Sequence, residues 1–309
     1  MGEHHVILII AVVVLLYGYI SEALAKLNIS GPMIFTGFGL LVSPLVFNLT
    51  QIEANTEFVT VIVEMTLVLV LFSDAALLDL KLLKQSWNIP ARLLFISLPL
   101  SIVLGTLVAV SVFPDQPMLY MILLALLLTP TDAALGKAVV FDSKVPKEIR
   151  SSINVESGLN DGIVFPIVLT VVAMTVSGLT ETNNSFWPLY VVQQIVFGAI
   201  AGAGAGFLGA KLVIFVAKHN WMESDYRNLI PIALAILSFY LAESVGGNGF
   251  IAAFFAGLYA GNTSQKTRDN IEDFAESEGE LFVLISFIIF GIAFVPKTIE
   301  FITLEVIVY

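Results

Sequence analysis

The 309-residue sequence contains no cysteine and few charged side chains. Without cysteine there is no disulfide and no thiolate metal site. Charged residues make up 13% of the chain and hydrophobic residues 58%, and the mean hydropathy is +0.93. Soluble domains carry roughly 25% charged residues. No soluble fold could cover so much apolar surface, so we expect an all-α membrane protein.

Basic residues are also scarce, with 14 lysines and arginines against 25 aspartates and glutamates. The acids are spread through predicted loops and helix ends, which indicates a solvated surface and no nucleic-acid partner. The N-terminal MGEHH lacks the basic region of a cleavable signal peptide. We therefore expect the first apolar run to remain as a helix in a multi-pass protein of the cell membrane, with the lipid bilayer as its partner.

Apolar runs of about 20 residues, the length that crosses a bilayer as a helix, recur along the whole chain. We predict about ten full spans, near residues 6–24, 32–48, 58–78, 91–113, 117–138, 151–176, 186–216, 227–244, 246–262 and 280–296. An eleventh run begins near residue 299 and stops at Tyr309, so we expect the last helices of the parent protein to be missing. Residues 1–309 are then a single membrane transport domain.

The positive charges alternate from one predicted connection to the next. If the N-terminus lies outside, every lysine and arginine except Lys297 falls in an inner connection or at an inner helix end. Cytoplasmic loops carry the excess of lysine and arginine in membrane proteins. The charges therefore predict this span order with the N-terminus outside.

One run of small residues, GAIAGAGAGFLGAK over residues 198–211, lies inside a predicted span. Small residues let two membrane helices approach closely. A phosphate-binding loop would instead follow a strand, which this sequence does not predict. The run therefore indicates close helix packing.

The segment over residues 129–168 breaks the apolar pattern by placing Asp132, Glu156 and Asp161 in or beside two consecutive apolar helices. A charged side chain at the bilayer centre costs at least ~2.5 kcal/mol, so acids at this depth indicate function. Pro130 lies in mid-span, where it removes a backbone N–H and clashes with the preceding turn. We predict a broken helix at mid-membrane that lines a cavity, with nearby threonine hydroxyls competing for the freed backbone groups.

The second helix of this segment carries its polar residues in two neighbouring stripes. Ser157 and Asp161 lie one turn apart on one face, and Glu156 and Asn160 form a second pair beside them. Ligands that are all oxygen suit hard cations such as Na⁺ or Li⁺, and the absence of nearby histidine or cysteine argues against zinc or copper. The pattern predicts a cation site, with a polar zipper between two helices as the alternative.

TPTD at residues 129–132, followed by ESGLND at 156–161, closely resembles the NhaP-type monovalent cation/proton antiporters, relatives of the sodium/hydrogen exchangers. GNGFIAAFFAGLYAGN at 247–262 and the stretch from Ile271 to Phe294 resemble later segments of that family. The resemblance covers essentially the whole chain. It implies a homodimer, with a rigid dimerisation domain and a core of inverted repeats whose helices lie near 91–176 and from 246 onward.

The resemblance also implies roles for single residues. It makes Asp161 the essential carboxylate for cation and proton, with side-chain oxygens from Asp132 and Ser157 and a backbone carbonyl from Thr131. The residues that would support this site are Glu156, Asn160 and Thr129. The family's arginine partner of the glutamate, and its second broken helix, are expected beyond residue 309.

These inferences predict a secondary active transporter and not an enzyme. It would exchange Na⁺, Li⁺ or K⁺ for H⁺ without a cofactor, electroneutrally, through competition of cation and proton at Asp161. An intramembrane aspartyl protease also pairs aspartates on adjacent helices, but it would resemble YD and GxGD motifs, whereas this chain has Thr131-Asp132 and Asn160-Asp161-Gly162. A cation channel would need a selectivity ring from repeated motifs, and none repeats here.

Overall fold

The fold, taken from a computed structural model, is helical throughout the part of the chain that the structure describes. The described residues are 3–27, 29–50, 56–78, 80–81, 87–131, 144–176, 187–223, 227, 229–275 and 279–309, and they contain no strand. The prediction of an all-α fold is confirmed.

The main helices of the described chain are numbered here in sequence order. They are α1 (Glu3–Lys26), α2 (Gly31–Val42), α3 (Glu57–Leu77), α4 (Asn88–Val112), α5 (Met118–Leu128), α6 (Lys147–Val176), α7 (Trp187–Lys218), α8 (Leu229–Ser244), α9 (Gly249–Thr263), α10 (Gln265–Phe274) and α11 (Glu280–Ala293), followed by short helical turns up to Val308. Within the described chain, Glu57–Leu77, Asn88–Val112 and Val192–Lys218 are long and apolar enough to cross a membrane.

Prolines account for two departures from regular helix. The helix α2 ends at Val42, earlier than the predicted span 32–48, because Ser43 precedes Pro44 and a residue before proline is disfavoured in helical conformation. In α4, a π-helical turn at Leu93–Ser97 lies just before Pro99, whose missing N–H breaks the regular hydrogen-bond ladder.

The chain divides into two compact units, of which the first comprises Met1–Val70 and Phe274–Ile307. Its core is an apolar cluster around Phe35 of α2 and Ile288 of α11, both almost completely buried. At this crossing, a Cβ on Gly39 would collide with the Ile288 carbonyl, and one on Gly291 with the Thr36 carbonyl. Glycine at these two positions therefore lets the backbones of α2 and α11 touch.

The second unit comprises Leu71–Asp273 with Val308–Tyr309, and α9 lies at its centre. The helix α7 packs on one side of α9: a Cβ on Gly202 or Gly206 would meet the carbonyls of Ala252 or Ala256. Gly204, between them, has no neighbour within 4 Å of such a Cβ. The close packing predicted for residues 198–211 is thus confirmed, and the backbone contacts are made by glycines that lie four residues apart.

The C-terminal part of α3 packs against another side of α9 in the same way. A Cβ on Gly257 would collide with the Phe72 carbonyl, and one on Gly261 with the Ala76 carbonyl. Beyond this contact the Asn262 side chain donates to the Leu78 carbonyl (2.8 Å) and accepts from the Leu80 N–H (3.0 Å). One amide thereby satisfies backbone groups left at the end of α3.

Another apolar cluster holds α4, α5 and α6 together within this second unit. Its most buried members are Leu94 of α4, Leu126 of α5 and Val164 of α6. The α6 helix also meets α9 through an edge-to-face contact of Phe165 and Phe250, with ring centroids 5.2 Å apart. This packing sets the end of α5 beside the polar part of α6.

The spacing of the α7 glycines yields a stability prediction with a control in the same helix. Gly202→Ala should lower the melting temperature in detergent, because overpacking against the Ala252 backbone costs about 1–3 kcal/mol. Gly204→Ala should leave melting unchanged or raise it slightly, since the site is open and alanine favours helix by up to about 1 kcal/mol. Equal effects of the two substitutions would contradict the packing.

Candidate functional site

The site begins where α5 stops. The helix ends at Leu128, and Thr129 to Thr131 follow without helical structure. The Thr129 hydroxyl donates to the Ala125 carbonyl (2.6 Å), which satisfies an acceptor in the last turn. The helix therefore stops before Pro130 as the proline predicts. Residues 132–143, which would complete a broken helix, lie outside the described residues, so the broken helix stays a prediction.

The ESGLND segment lies on α6, a continuous helix of 30 residues. Glu156 and Asn160 are one turn apart, and the Asn160 amide Nδ2 donates to Glu156 Oε1 (3.3 Å). The pairing of these side chains is what their i, i+4 spacing predicts.

Thr131 joins this pair from the end of α5. Its hydroxyl donates to Glu156 Oε2 (3.0 Å) and accepts from Asn160 Nδ2 (2.8 Å). Together with the bond within α6, these contacts close a ring of three side chains, which we call the Thr131–Glu156–Asn160 triad. The triad ties the non-helical segment after α5 to the middle of α6.

The burial and bonding of the triad make it costly to break. Asn160 is 0% exposed and Glu156 is half-buried. The carboxylate of Glu156 accepts at both oxygens from neutral donors. Because an ionised carboxylate can only accept, the Asn160 NH₂ group must face it, which turns Oδ1 the other way. That buried Oδ1 has no hydrogen-bond donor within the described chain.

The predicted site residues differ in what the structure describes of them. The side chains of Thr129, Thr131, Glu156 and Asn160 are described, and the last three meet in the triad. Ser157 and Asp161 lie on α6, but their side chains lie outside what is described, as does the whole of Asp132. The roles predicted for these residues as cation or proton ligands therefore stay predictions.

One feature of the site was missed in the sequence. The cation-binding role expected of the Thr131 backbone carbonyl stays a prediction, and in addition the Thr131 hydroxyl bonds two polar side chains of another helix. The only sequence signal for this contact was a hydroxyl on each side of Pro130. Such a hydroxyl is expected to bond a free backbone group at the helix end and not a side chain of α6.

The chain is similar to known transport proteins over nearly its whole length. The sequence model described as "Sodium/hydrogen exchanger, transmembrane" matches residues 9–309. A protein of Schizosaccharomyces pombe named "Probable Na(+)/H(+) antiporter" is 23% identical over 88% of this chain and 37% of its own length. The K(+)/H(+) antiporter NhaP2 of Shewanella oneidensis is 22% identical over 54% of this chain and 28% of its own.

A solved structure shares the fold. The sodium proton antiporter MjNhaP1 from Methanocaldococcus jannaschii matches with a TM-score of 0.69 and 18% identity, over 94% of this chain and 70% of that chain. The fold is therefore that of a helical membrane transporter. The chain spans only 37% and 28% of the length of the two curated relatives described above.

The triad predicts that Glu156 stabilises the protein. Glu156→Ala would remove the carboxylate that accepts from the Thr131 hydroxyl and from the buried Asn160 amide, which should cost about 1–3 kcal/mol and lower the melting temperature in detergent. Glu156→Gln keeps one acceptor oxygen and should melt between the alanine variant and the wild type. Glu272→Ala, which removes an exposed acid of α10, is the control and should melt like the wild type. Unchanged melting of Glu156→Ala would contradict the structural role.

Proposed function

The chain belongs to the sodium/hydrogen exchanger family, and on that premise we propose that it exchanges a monovalent cation for protons across a membrane. The observation that carries the proposal is the triad, found where the family-matched sequence interrupts an apolar helix. Relatives are named for Na⁺ and for K⁺, so the cation is Na⁺, Li⁺ or K⁺. The proposed setting is a homodimer in the cell membrane.

In this mechanism the side chains of the triad hold the site, and the cargo is bound by the residues that follow its members together with the Thr131 backbone carbonyl. Asp132 directly follows Thr131, Ser157 follows Glu156, and Asp161 follows Asn160. The three hydrogen bonds fix the backbone beside each proposed ligand without using the ligand itself. Oxygen atoms of carboxylate, hydroxyl and backbone carbonyl are suited to a hard monovalent cation.

Exchange follows from competition at Asp161. Its carboxylate is neutralised either by a proton or by a cation, and the two cannot occupy it together. If only the neutralised site crosses the apolar barrier, each cation that moves one way is matched by a proton that moves the other way. The crossing would be a rigid-body movement of the core, as in other transporters built from inverted repeats.

The direct test is transport by the full-length protein reconstituted in liposomes with a trapped pH-sensitive dye. Addition of Na⁺, Li⁺ or K⁺ in turn should drive proton movement that saturates with cation concentration. Flux that does not saturate and needs no proton movement would identify a cation channel. Cleavage of a reporter peptide would identify a protease.

Asp161→Asn should abolish exchange, because an amide cannot alternate between proton and cation. Expression, melting temperature and elution volume in size-exclusion chromatography should stay close to wild type. Asp115→Asn, an exposed aspartate between α4 and α5, is the matched control and should keep full exchange. Cation-driven proton release by Asp161→Asn at the wild-type rate would rule out Asp161 as the exchange site.

We also expect exchange to be electroneutral. The residue before Asp161 is Asn160, so one carboxylate at this pair crosses with the same net charge whether it carries a proton or a cation. In liposomes clamped with valinomycin and K⁺, the Na⁺ gradient at which proton flux reverses should stay constant as the voltage is changed. A reversal point that moves with voltage would mean that net charge crosses, for instance because Asp132 also titrates.

A further inference from the structure

The helix α7 has one face packed within the second unit and the opposite face exposed. Gly202 and Gly209 lie on the packed face: a Cβ on the first would meet the backbone of α9, and one on the second a leucine side chain of α8. Lys211 and Lys218 each follow one of these glycines by nine residues, which is about two and a half helical turns. Both lysines therefore lie opposite the packed face, and both are exposed.

The charges on the exposed face of α7 are positive. Lys211 and Lys218 are the charged residues of this helix, which carries no acid. The nearest acid that follows in the described chain is Glu223, five residues beyond the helix. The segment Val192–Lys218 is long and apolar enough to cross a membrane, and a charge on the lipid-facing side of such a helix is costly without a partner. An anionic partner at the membrane surface would meet this need.

Lys211 holds its ammonium against an aromatic ring on the same face. Its Nζ lies 5.2 Å from the centroid of the Phe207 ring, one turn earlier on α7. The face of a ring attracts a cation, but it accepts no charge-assisted hydrogen bond of the kind that an anionic oxygen does. The three N–H donors of the ammonium can therefore still bind an anion.

The turn that ends α7 folds an exposed tryptophan back onto the helix. Asn220 has a left-handed backbone conformation with φ of 53°. The Asn220 N–H donates to the Ala217 carbonyl, and the Trp221 N–H to the Val216 carbonyl, both at 3.2 Å. This pair of bonds is the Schellman motif, in which asparagine can take the left-handed position. Trp221 thereby lies near Phe215, with ring centroids 6.1 Å apart, while 71% of its surface stays exposed.

A histidine joins these two rings into one surface. The His219 ring centroid lies 4.4 Å from that of Phe215 and 5.4 Å from that of Trp221. Its Nδ1 donates to the Phe215 carbonyl at 2.8 Å, since a carbonyl can only accept. We call Phe215, His219 and Trp221 the α7 aromatic cluster. Exposed tryptophan at the end of a membrane helix is typical of the level of the lipid headgroups.

The lysines and the α7 aromatic cluster lie at the same end of the helix. The distribution of lysine and arginine predicts this end to be on the inner side of the membrane. Anionic phospholipids of the inner leaflet attract basic residues beside a membrane helix. Lys211 and Lys218 are about 10 Å apart along the helix axis, and two long, flexible side chains can bridge that distance to one headgroup. We propose that these two lysines bind the phosphate of an anionic phospholipid, whose glycerol and upper acyl chains lie against Phe215 and Trp221.

This inference is independent of cation exchange, because it is tested by lipid contact alone. The full-length protein is reconstituted in liposomes that mix phosphatidylglycerol and phosphatidylcholine, and one of the two lipids carries bromine on its acyl chains, which quenches tryptophan fluorescence on contact. The difference in quenching between the wild type and Trp221→Phe reports the lipid at the end of α7. Brominated phosphatidylglycerol should reach half-maximal quenching at an about twentyfold lower mole fraction than brominated phosphatidylcholine, since each basic residue near an anionic surface contributes about fivefold.

Single substitutions test the two lysines. Lys211→Gln and Lys218→Gln should each reduce the preference for phosphatidylglycerol about fivefold. Lys218→Arg keeps the positive charge and should keep the preference within about twofold of the wild type. A preference unchanged in both glutamine variants would overturn the assignment of the lysines.

Lys266→Gln is the matched control, because it removes an exposed positive charge from α10 on the same predicted side of the membrane. It should change the preference less than about twofold, as expected for a distant charge screened by salt. Equal losses in Lys266→Gln and Lys218→Gln would overturn the site in favour of diffuse attraction. Equal quenching by the two brominated lipids would overturn the selectivity for an anionic lipid. Absence of quenching by either lipid would show that protein covers this end of α7, which would also overturn the proposal.

Discussion

A bilayer offers no water to a backbone that leaves the helix, so every polar group freed at an interrupted helix must find a partner within the protein. At the end of α5 before Pro130, the Thr129 hydroxyl meets this constraint for the last turn of the helix. The Thr131 side chain then ties the non-helical segment to Glu156 and Asn160 on α6. The position of the non-helical segment therefore depends on three side chains, one of which is fully buried.

Both compact units contain helices that pack at backbone distance. Lipid tails are as apolar as leucine, so membrane helices gain little from hydrophobic burial against each other and rely on close contact. In each compact unit this contact is made by glycines facing carbonyls: Gly39 and Gly291 in the first, and the glycines on α7 and α9 in the second. A unit packed in this way has little room to deform, which suits a carrier whose parts move as rigid bodies.

The sequence predicted those features that depend on one helix at a time. Apolar length predicted the helices, Pro130 the end of α5, and i, i+4 spacing the pair of Glu156 and Asn160. Features that need the tertiary arrangement were not predicted. Both Gly202 and Gly204 belong to one small-residue run, and only the neighbouring helix decides that the first is packed and the second open. The bond from Thr131 to α6 likewise depends on the position of a second helix.

The side chains of the triad hold the site, whereas the cargo is proposed to bind Asp132, Ser157, Asp161 and the Thr131 backbone carbonyl. The hydrogen bonds of the triad come from neutral donors and end on the Glu156 carboxylate or the Thr131 hydroxyl, so none of them requires a cation or a transported proton to be present. The backbone beside Asp132, Ser157 and Asp161 can then keep one shape whether the site holds a proton or a metal ion. A cation and a proton can compete evenly for one site only if neither has to rearrange the site when it binds. The free energy of any such rearrangement would weaken the affinity for that ion. Supporting hydrogen bonds that stay the same whichever ion is bound are therefore the physical condition for exchange at a single carboxylate.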